Sequence, residues 1–259
     1  MDLNLKKKNV LISGASKGIG LACAKVFANE GCNLHLVSRT KEDLLTAKAQ
    51  IDAVNNVDIT IYPLDLSRSS DVDQLAEQCS GIDILVNNAG AIPAGNIEAI
   101  DERTWREAWD LKVFGYINMT RRFYPLIKNN GGGVIMNVIG LAGVRVDRNY
   151  IAGSAGNASI IGFTNAMGAH ALDEGMRVLG VCPGAVQTDR ITTMLKTRAK
   201  DEKGDENRWQ DYFSGMPLNR PALVEEVADV VVFLCSDRAS WLTGTTINLD
   251  GGVANRGGY

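Results

Sequence analysis

Histidine is nearly absent from this sequence, and the scarcity bears on the kind of site the protein can build. Only His35 and His170 occur among the 259 residues. His35 lies in an apolar, strand-like run and His170 in a helical segment, so we predict that both pack against neighbouring residues. Because zinc sites draw heavily on histidine and cysteine, and the five cysteines include no CxxC pair, we expect no bound metal.

The chain also lacks an excess of positive charge and a long apolar run. Its net charge is −3, which gives no reason to expect a nucleic-acid partner. No run approaches the roughly 20 apolar residues that a membrane-spanning helix needs, and residues 1–8 are too short and polar for a signal peptide. Dispersed cysteines in odd number indicate reduced thiols, packed as small apolar groups. We therefore expect a cytoplasmic protein with no membrane partner.

What the chain does contain is an alternation of apolar runs and helical segments. The runs VLIS, NLHLVS, IDILV and GVIMNV are almost unbroken, as is typical of parallel strands covered on both faces. Helical segments separate them, and residues 101–129 are predicted to form one long helix. The length suits a single domain. The sequence therefore predicts an α/β fold, a doubly wound parallel sheet of the Rossmann type, over residues 1–259.

One segment, residues 189–220, interrupts this alternation. It is long and charged and has no strand-like run. Two interpretations are open: a pair of solvated surface helices, or a lid over a substrate cleft. Its place directly after a strand favours the lid, because ligands in such sheets bind outside the carboxyl ends of the strands.

A glycine cluster follows the first strand. The stretch SGASKGIG occupies residues 13–20 and opens the first helix. Gly14 permits a tight turn, while Gly18 and Gly20 allow the backbone to approach a pyrophosphate at the helix N-terminus. A flexible turn without a ligand is the alternative, but the strand–turn–helix context favours a dinucleotide site.

With three further motifs, this glycine spacing resembles the short-chain dehydrogenase/reductase family. NNAG at 87–90, CPGAVQT at 182–188 and LDGG at 249–252 occur in the family's order, as does an aspartate after the third strand. The resemblance spans nearly the whole chain. It implies an oxidoreductase that uses a nicotinamide cofactor and a small-molecule substrate, and that assembles as a homotetramer or homodimer.

The resemblance also assigns residues to the dinucleotide. The pyrophosphate and ribose would contact Gly14, Ser16, Gly18, Ile19 and Gly20, and the adenine Asp65 and Leu66. Asn88, Ala89 and Gly90 would flank the ribose, and Pro183, Gly184, Val186 and Thr188 would hold the nicotinamide end.

The end of the second strand indicates which dinucleotide binds. An NAD enzyme places a carboxylate there, against the ribose hydroxyls. This chain has Ser38 followed by Arg39, with Lys17 in the glycine loop. Two cations and no carboxylate suit a 2′-phosphate, so we predict NADP(H). The alternative is that both cations are ordinary solvated surface charges.

The family's usual catalytic residues are missing. They are an Asn on the fourth helix, a Ser after the fifth strand, and a Tyr-x-x-x-Lys on the fifth helix. Aligned without gaps, these positions fall on Lys112, Gly140, Gly153 and Asn157. All four are replaced, so the resemblance alone does not supply a catalytic mechanism.

A second branch of the family, the enoyl-acyl-carrier reductases, places its Tyr seven residues before the Lys. Tyr150 precedes Asn157 by that interval. We hypothesise that Tyr150 is the proton donor or acceptor, that Lys112 replaces the missing cation, and that Asn157 is a neutral hydrogen-bonding partner. A nearby cation would lower the pKa of the phenol. Alternatively, Tyr150 is an ordinary amphipathic loop residue and Lys112 points to solvent.

Three more polar residues near Tyr150 are candidates with simpler alternatives. Ser154 is a possible substitute hydroxyl, although a serine near a helix start is more often a cap. Arg145 and Arg148 suit an anionic substrate but equally suit an exposed loop.

Three functions are compatible with these patterns. The favoured one is an NADP(H)-dependent oxidoreductase that transfers hydride between the nicotinamide and a carbonyl or activated enoyl substrate, with a rearranged active site. A dinucleotide-binding sensor or subunit without turnover would also keep the cofactor motifs. Non-redox chemistry ranks last, because no carboxylate or histidine pair lies near the predicted site.

Overall fold

In the computed structural model, which describes residues 1–256, the seven strands form one sheet. Their bounds are β1 Asn9–Ser13, β2 Asn33–Ser38, β3 Ile59–Pro63, β4 Ile84–Asn87, β5 Gly133–Val138, β6 Met176–Pro183 and β7 Thr245–Leu249. All neighbouring strands are parallel, in the order β3-β2-β1-β4-β5-β6-β7. The order reverses between β1 and β4, where ligands bind in sheets of this kind. The predicted doubly wound fold is confirmed.

Helices cover both faces of the sheet. They are α1 Gly18–Asn29, α2 Lys41–Asp52, α3 Ser69–Gln78, α4 Glu102–Trp109, α5 Gly115–Asn129, α6 Ile151–Gly168, α7 Asp189–Lys203 and α8 Val224–Cys235. In β1, Val10 and Ile12 pack in a core that includes residues of α1 and α8, whereas Leu11 packs on the opposite face with Phe123 of α5. The central strands β1, β4, β5 and β6 are mostly apolar because both of their faces are buried, whereas the edge strands β3 and β7 are partly exposed.

The predicted long helix over residues 101–129 is interrupted. A π-helical turn, Asp110–Phe114, separates α4 from α5. Such turns insert a residue into the helical ladder and often occur at functional sites. Here the turn carries Lys112 and ends at Gly115, where an added Cβ would lie 3.2 Å from the carbonyl oxygen of Leu66. Composition alone did not reveal the interruption, because the turn contains no helix-breaking residue.

The predictions for cysteine and histidine have different outcomes. All five cysteines are buried, as expected of small apolar groups. His35 is half-buried and its Nδ1 lies 3.0 Å from the hydroxyl of Tyr62. The prediction for His170 was wrong: its side chain is 91% exposed, because α6 ends before it and the residue lies in a surface turn.

None of the helices within residues 1–256 combines the length and apolar character needed to cross a bilayer. The predicted lid, residues 189–220, consists of α7 followed by two short 3₁₀ segments, Glu206–Gly215 and Pro217–Asn219.

Candidate active site

The predicted cofactor residues meet at one edge of the sheet. They follow the carboxyl ends of β1, β2, β3, β4 and β6. The loops also touch one another: an added Cβ at Gly18 would lie 3.4 Å from Cγ2 of Thr188. The glycine loop and the loop after β6 therefore line a common cleft.

The glycine loop has the geometry of an anion-binding turn. Gly14 and Gly18 adopt φ values of +65° and +56°, which favour glycine. An added Cβ at Gly20 would overlap the carbonyl oxygen of Gly14. No side chain caps α1 at Lys17, so the first amides of the helix remain available to an anion, as a bound pyrophosphate requires.

Asn88 joins this loop to β4. Its side-chain amide donates to the carbonyl oxygens of Ser13 and Gly14 at 3.1 and 3.2 Å, and its backbone N–H donates to Oγ of Ser13. Asn88 is therefore occupied in fixing the glycine turn. A direct contact between its Nδ2 and the cofactor would break these bonds, whereas a contact through Oδ1 would not.

The remaining cofactor candidates differ in how their polar groups are used. The Asp65 carboxylate accepts from the backbone N–H and hydroxyl of Ser67, which fixes the loop after β3. The Gly184 amide donates to Leu249 at 3.0 Å. Thr188 caps α7 by accepting from the Ile191 amide.

At the end of β2, Ser38 lies 3.1 Å from Ser16, hydroxyl to hydroxyl. Arg39 and Lys17 are exposed beside this pair. The position next to the expected adenosine ribose thus has two hydroxyls and two exposed cations, an arrangement that attracts an anion.

Lys112 is buried, which excludes the alternative that it points to solvent. The residue is 7% exposed, and its Nζ donates to the Tyr116 hydroxyl and to the carbonyl oxygens of Val138 and Ile139 at 2.8, 2.7 and 3.1 Å. Burial lowers the pKa of Lys112 to about 7, and repulsion from Arg190 adds to this effect. These hydrogen bonds place the amine at the end of β5. Because its pKa is about 7, the amine changes charge near neutral pH.

Asn157 lies beside this strand end. Its side chain packs against Gly140, where an added Cβ would be 3.1 Å from Nδ2. Gly140 has a φ of +152°, which disfavours serine, the family's residue at this position. Oδ1 of Asn157 is buried and has no hydrogen-bond partner within residues 1–256. A buried acceptor without a donor is uncommon in folded proteins, and Oδ1 of Asn87, in the neighbouring strand β4, is a second case within the described residues.

Tyr150 occupies the space left by the replaced family tyrosine. An added Cβ at Gly153 would overlap Cε1 and Cζ of the Tyr150 ring. The Trp109 indole, donating to the Ala152 carbonyl at 3.0 Å, helps to hold the start of α6 in place. Tyr150 and Gly153 thus form a matched pair, with the ring from one turn earlier filling the position of the missing side chain.

The cation in contact with Tyr150 is Arg190, which sequence reasoning missed. Its Nη2 donates to the Tyr150 hydroxyl at 3.2 Å. Burial raises the pKa of Tyr150, and Arg190 only partly offsets that rise. The expected action of Lys112 on the phenol is not found: the Lys112 amine bonds elsewhere, and the pKa of Tyr150 is raised rather than lowered.

Of the three other candidates, Ser154 and Arg145 form hydrogen bonds within the protein. Ser154 accepts from the Asp147 amide at 3.0 Å and so holds the loop before Tyr150, rather than capping the helix. Arg145 donates to the Val253 carbonyl at 3.2 Å. Arg148 is exposed.

Comparisons with known proteins agree with this geometry. Residues 14–254 match the family model described as enoyl-(acyl carrier protein) reductase. An uncharacterized oxidoreductase of Thermotoga maritima is 32% identical over 253 residues, which are 96% of this chain and 98% of the relative. A 3-oxoacyl-acyl-carrier-protein reductase of Chlamydia trachomatis is 29% identical over 257 residues, covering 96% and 98%.

Among solved structures, L-sorbose reductase from Gluconobacter frateurii, complexed with NADPH and L-sorbose, superimposes with a TM-score of 0.92. The two chains are 29% identical, and the match covers 99% of this chain and 100% of the other. The parallel sheet, the glycine loop and these relatives lead to one conclusion: the chain belongs to the short-chain dehydrogenase/reductase family and is an oxidoreductase of that type.

Proposed function

We propose that this protein is an NADP(H)-dependent reductase that acts on a carbonyl or activated enoyl substrate, with Tyr150 as the proton donor. The observation that carries the proposal is the fit of the Tyr150 ring over Gly153. A site that had merely lost its catalytic residues would have no reason to fill the vacated position with another phenol. Burial raises the pKa of Tyr150, which keeps the phenol protonated at neutral pH and suits it to donating a proton.

The bound dinucleotide would supply the hydride, and the chain's residues position it. The uncapped amides of α1 would hold its pyrophosphate, and Asn157, beside the end of β5, would be a neutral hydrogen-bonding partner. Lys112, when protonated, would place a positive charge at the end of β5, in place of the family's lysine. As the substrate is reduced, Tyr150 would donate its proton to the substrate and become a phenolate.

The preference for NADP(H) rests on charge. Lys17 and Arg39 are exposed next to Ser16 and Ser38, at the edge where the adenosine ribose is expected. A 2′-phosphate would gain charge-assisted hydrogen bonds from both cations. The L-sorbose reductase that superimposes on this chain is itself complexed with NADPH. We further propose a cytoplasmic homotetramer or homodimer, by analogy with the family.

The test has a binding arm and a turnover arm. NADPH and NADH are titrated by fluorescence against the wild type and the Lys17→Ala/Arg39→Ala variant. We expect NADPH binding to weaken by about 10²- to 10⁴-fold in the variant, since each of the two charged hydrogen bonds contributes about 1.5–3 kcal/mol, with NADH binding little changed. Equal losses for both dinucleotides would contradict the NADP(H) assignment.

In the turnover arm, NADPH oxidation is followed with a panel of carbonyl and enoyl substrates. Tyr150→Phe is expected to lower kcat by about 10²- to 10⁴-fold, the usual contribution of an acid, while NADPH binding persists. Full activity in this variant would refute the role of Tyr150. Binding without turnover across the whole panel would favour the dinucleotide-binding sensor or subunit.

A further inference from the structure

Arg190 links three parts of the active site that are distant in sequence. It lies in the first turn of α7 and donates through Nη1 to the Gly90 carbonyl at 3.3 Å. Its Nη2 donates to the carbonyl of Ile92 and, at 3.2 Å, to the hydroxyl of Tyr150. The lid, the loop after β4 and the proposed proton donor are therefore held by one guanidinium.

The acceptors of Arg190 are all uncharged, so its positive charge is not neutralised by these bonds. Arginine remains protonated throughout the accessible pH range, unlike Lys112, whose pKa lies at about 7. The constant positive charge beside the phenol is therefore that of Arg190. It also contributes to the lowered pKa of Lys112.

The other groups around the Tyr150 ring do not supply this positive charge. The ring packs in an apolar cluster with Ile92, Ala152 and Trp109, which do not titrate. Of the charged residues of its own loop, Arg145, Asp147 and Arg148, none hydrogen-bonds to the Tyr150 hydroxyl within residues 1–256. On α7 Asp189 makes no such bond in the described residues either, whereas Arg190, although exposed, does.

We propose that Arg190 is a positioning residue that orients the Tyr150 phenol and stabilises the phenolate formed when Tyr150 gives up its proton. The step is balanced, because the O–H bond of Tyr150 breaks, its proton passes to the substrate, and the phenolate keeps the electron pair. Since Arg190 belongs to the lid, the guanidinium reaches the phenol only while the first turn of α7 lies against the loop after β4. This inference rests on the proposed role of Tyr150.

The test measures the ionisation of residue 150 directly. Tyr150 is replaced by a difluorotyrosine, whose phenol ionises near neutral pH, and its fluorine NMR signal is followed against pH. Arg190→Met is expected to raise the pKa of this phenol by about one unit, a tenfold change in the ionisation constant, since it loses a cation within hydrogen-bonding distance. Arg190→Lys, which retains the charge but not the planar fork, is expected to give a smaller shift.

Arg148→Met is the matched control, because it removes an exposed arginine two residues from Tyr150 without removing a contact. It should leave the ionisation of residue 150 unchanged.

In turnover assays Arg190→Met should lower kcat and move the alkaline limb of the pH profile to higher pH, while NADPH binding persists. An unshifted fluorine titration in Arg190→Met would overturn the inference, and so would a rise in substrate KM with kcat unchanged, which would assign Arg190 to substrate binding. Neither result changes the outcome of comparing the turnover of Tyr150→Phe with that of the wild type. The inference about Arg190 can therefore be contradicted while the proposed role of Tyr150 stands.

Discussion

At the scale of single residues, the replaced positions of the active site are matched to one another. Tyr150 lies over Gly153, Asn157 packs against Gly140, and the Lys112 side chain passes over Gly90, where an added Cβ would be 2.5 Å from Cδ. Gly153 and Gly140 leave room for side chains that the usual family set does not have there, whereas Gly90 belongs to the NNAG motif that the chain shares with the family. The replacements therefore form a repacked site in which one change requires another.

The packing of Tyr150 against Gly153 leads to a prediction for the Gly153→Ala variant. The new methyl group would overlap the Tyr150 ring, so we expect the ring to be displaced and kcat to fall toward the value of Tyr150→Phe. Gly162→Ala, on the same helix with nothing within 4 Å of the added Cβ, is the control. It should retain activity and gain up to about 1 kcal/mol from helix propensity. Equal activity in both alanine variants would show that Tyr150 does not depend on Gly153.

Sequence reasoning reached Tyr150 but not Arg190, for a physical reason. Tyr150 was found from its interval to Asn157, which is a local pattern along one helix. The carbonyl partners of Arg190 lie 100 and 98 residues away. Only the folded sheet brings α7 next to the loop after β4, and an arginine at a helix start looks like any surface charge. The burial of Lys112 was hidden in the same way, because the π turn that carries it has no sequence signal.

At the scale of elements, Arg177 holds α8 to the sheet. It lies at the beginning of β6, is 7% exposed, and donates to the carbonyl oxygens of Leu234, Ser236 and Ala239 at 2.7, 2.9 and 3.1 Å. These carbonyls belong to the end of α8 and the turn after it, and those of Ser236 and Ala239 also accept from the backbone amides of Ala239 and Leu242. A cation at a helix C-terminus also interacts favourably with the helix dipole.

We predict that Arg177→Met destabilises the fold without affecting the site. Losing three charge-assisted hydrogen bonds from a buried guanidinium should cost about 3 kcal/mol, or roughly 6–12 °C in Tm for a chain of this size. Because residue 177 is at the opposite end of β6 from the cofactor residues, KM for NADPH should stay the same. Arg122→Met, which breaks the exposed pair with Asp73, should cost about 0–1 kcal/mol. Similar losses in both variants would contradict this account.

At the scale of the whole molecule, the fold was predictable because the pattern that determines it, an apolar strand followed by a helix, is repeated along the chain. Strands covered on both faces are mostly apolar, and in this fold the phosphate-binding glycine loop follows the end of a strand. The charge state of the folded protein was less predictable, since it depends on which side chains are buried. Lys112 is the main case: the alignment placed it near the cofactor, but only its burial fixes its pKa.

That burial predicts how stability depends on pH. The pKa of Lys112 is about 7 in the folded protein and 10.5 when unperturbed. Below the folded value both states hold the proton, and between the two values only the unfolded chain does. The free energy of unfolding therefore rises with pH in this range. From about pH 7 to about pH 9 the wild type should gain about 2 kcal/mol relative to Lys112→Met.

Urea denaturation of both proteins across this range measures the gain. The buried thiols are present in both proteins, so their contribution cancels in the difference except at Cys182, whose thiol interacts electrostatically with Lys112. Lys128→Met, at an exposed lysine that pairs with Glu174, controls for the added apolar side chain. A difference between wild type and Lys112→Met that stays constant with pH would mean that the amine keeps its proton when buried. Lys112 would then be a permanent cation at the end of β5, beside the proposed nicotinamide site, and the proposed activity would lose one source of pH dependence near neutrality.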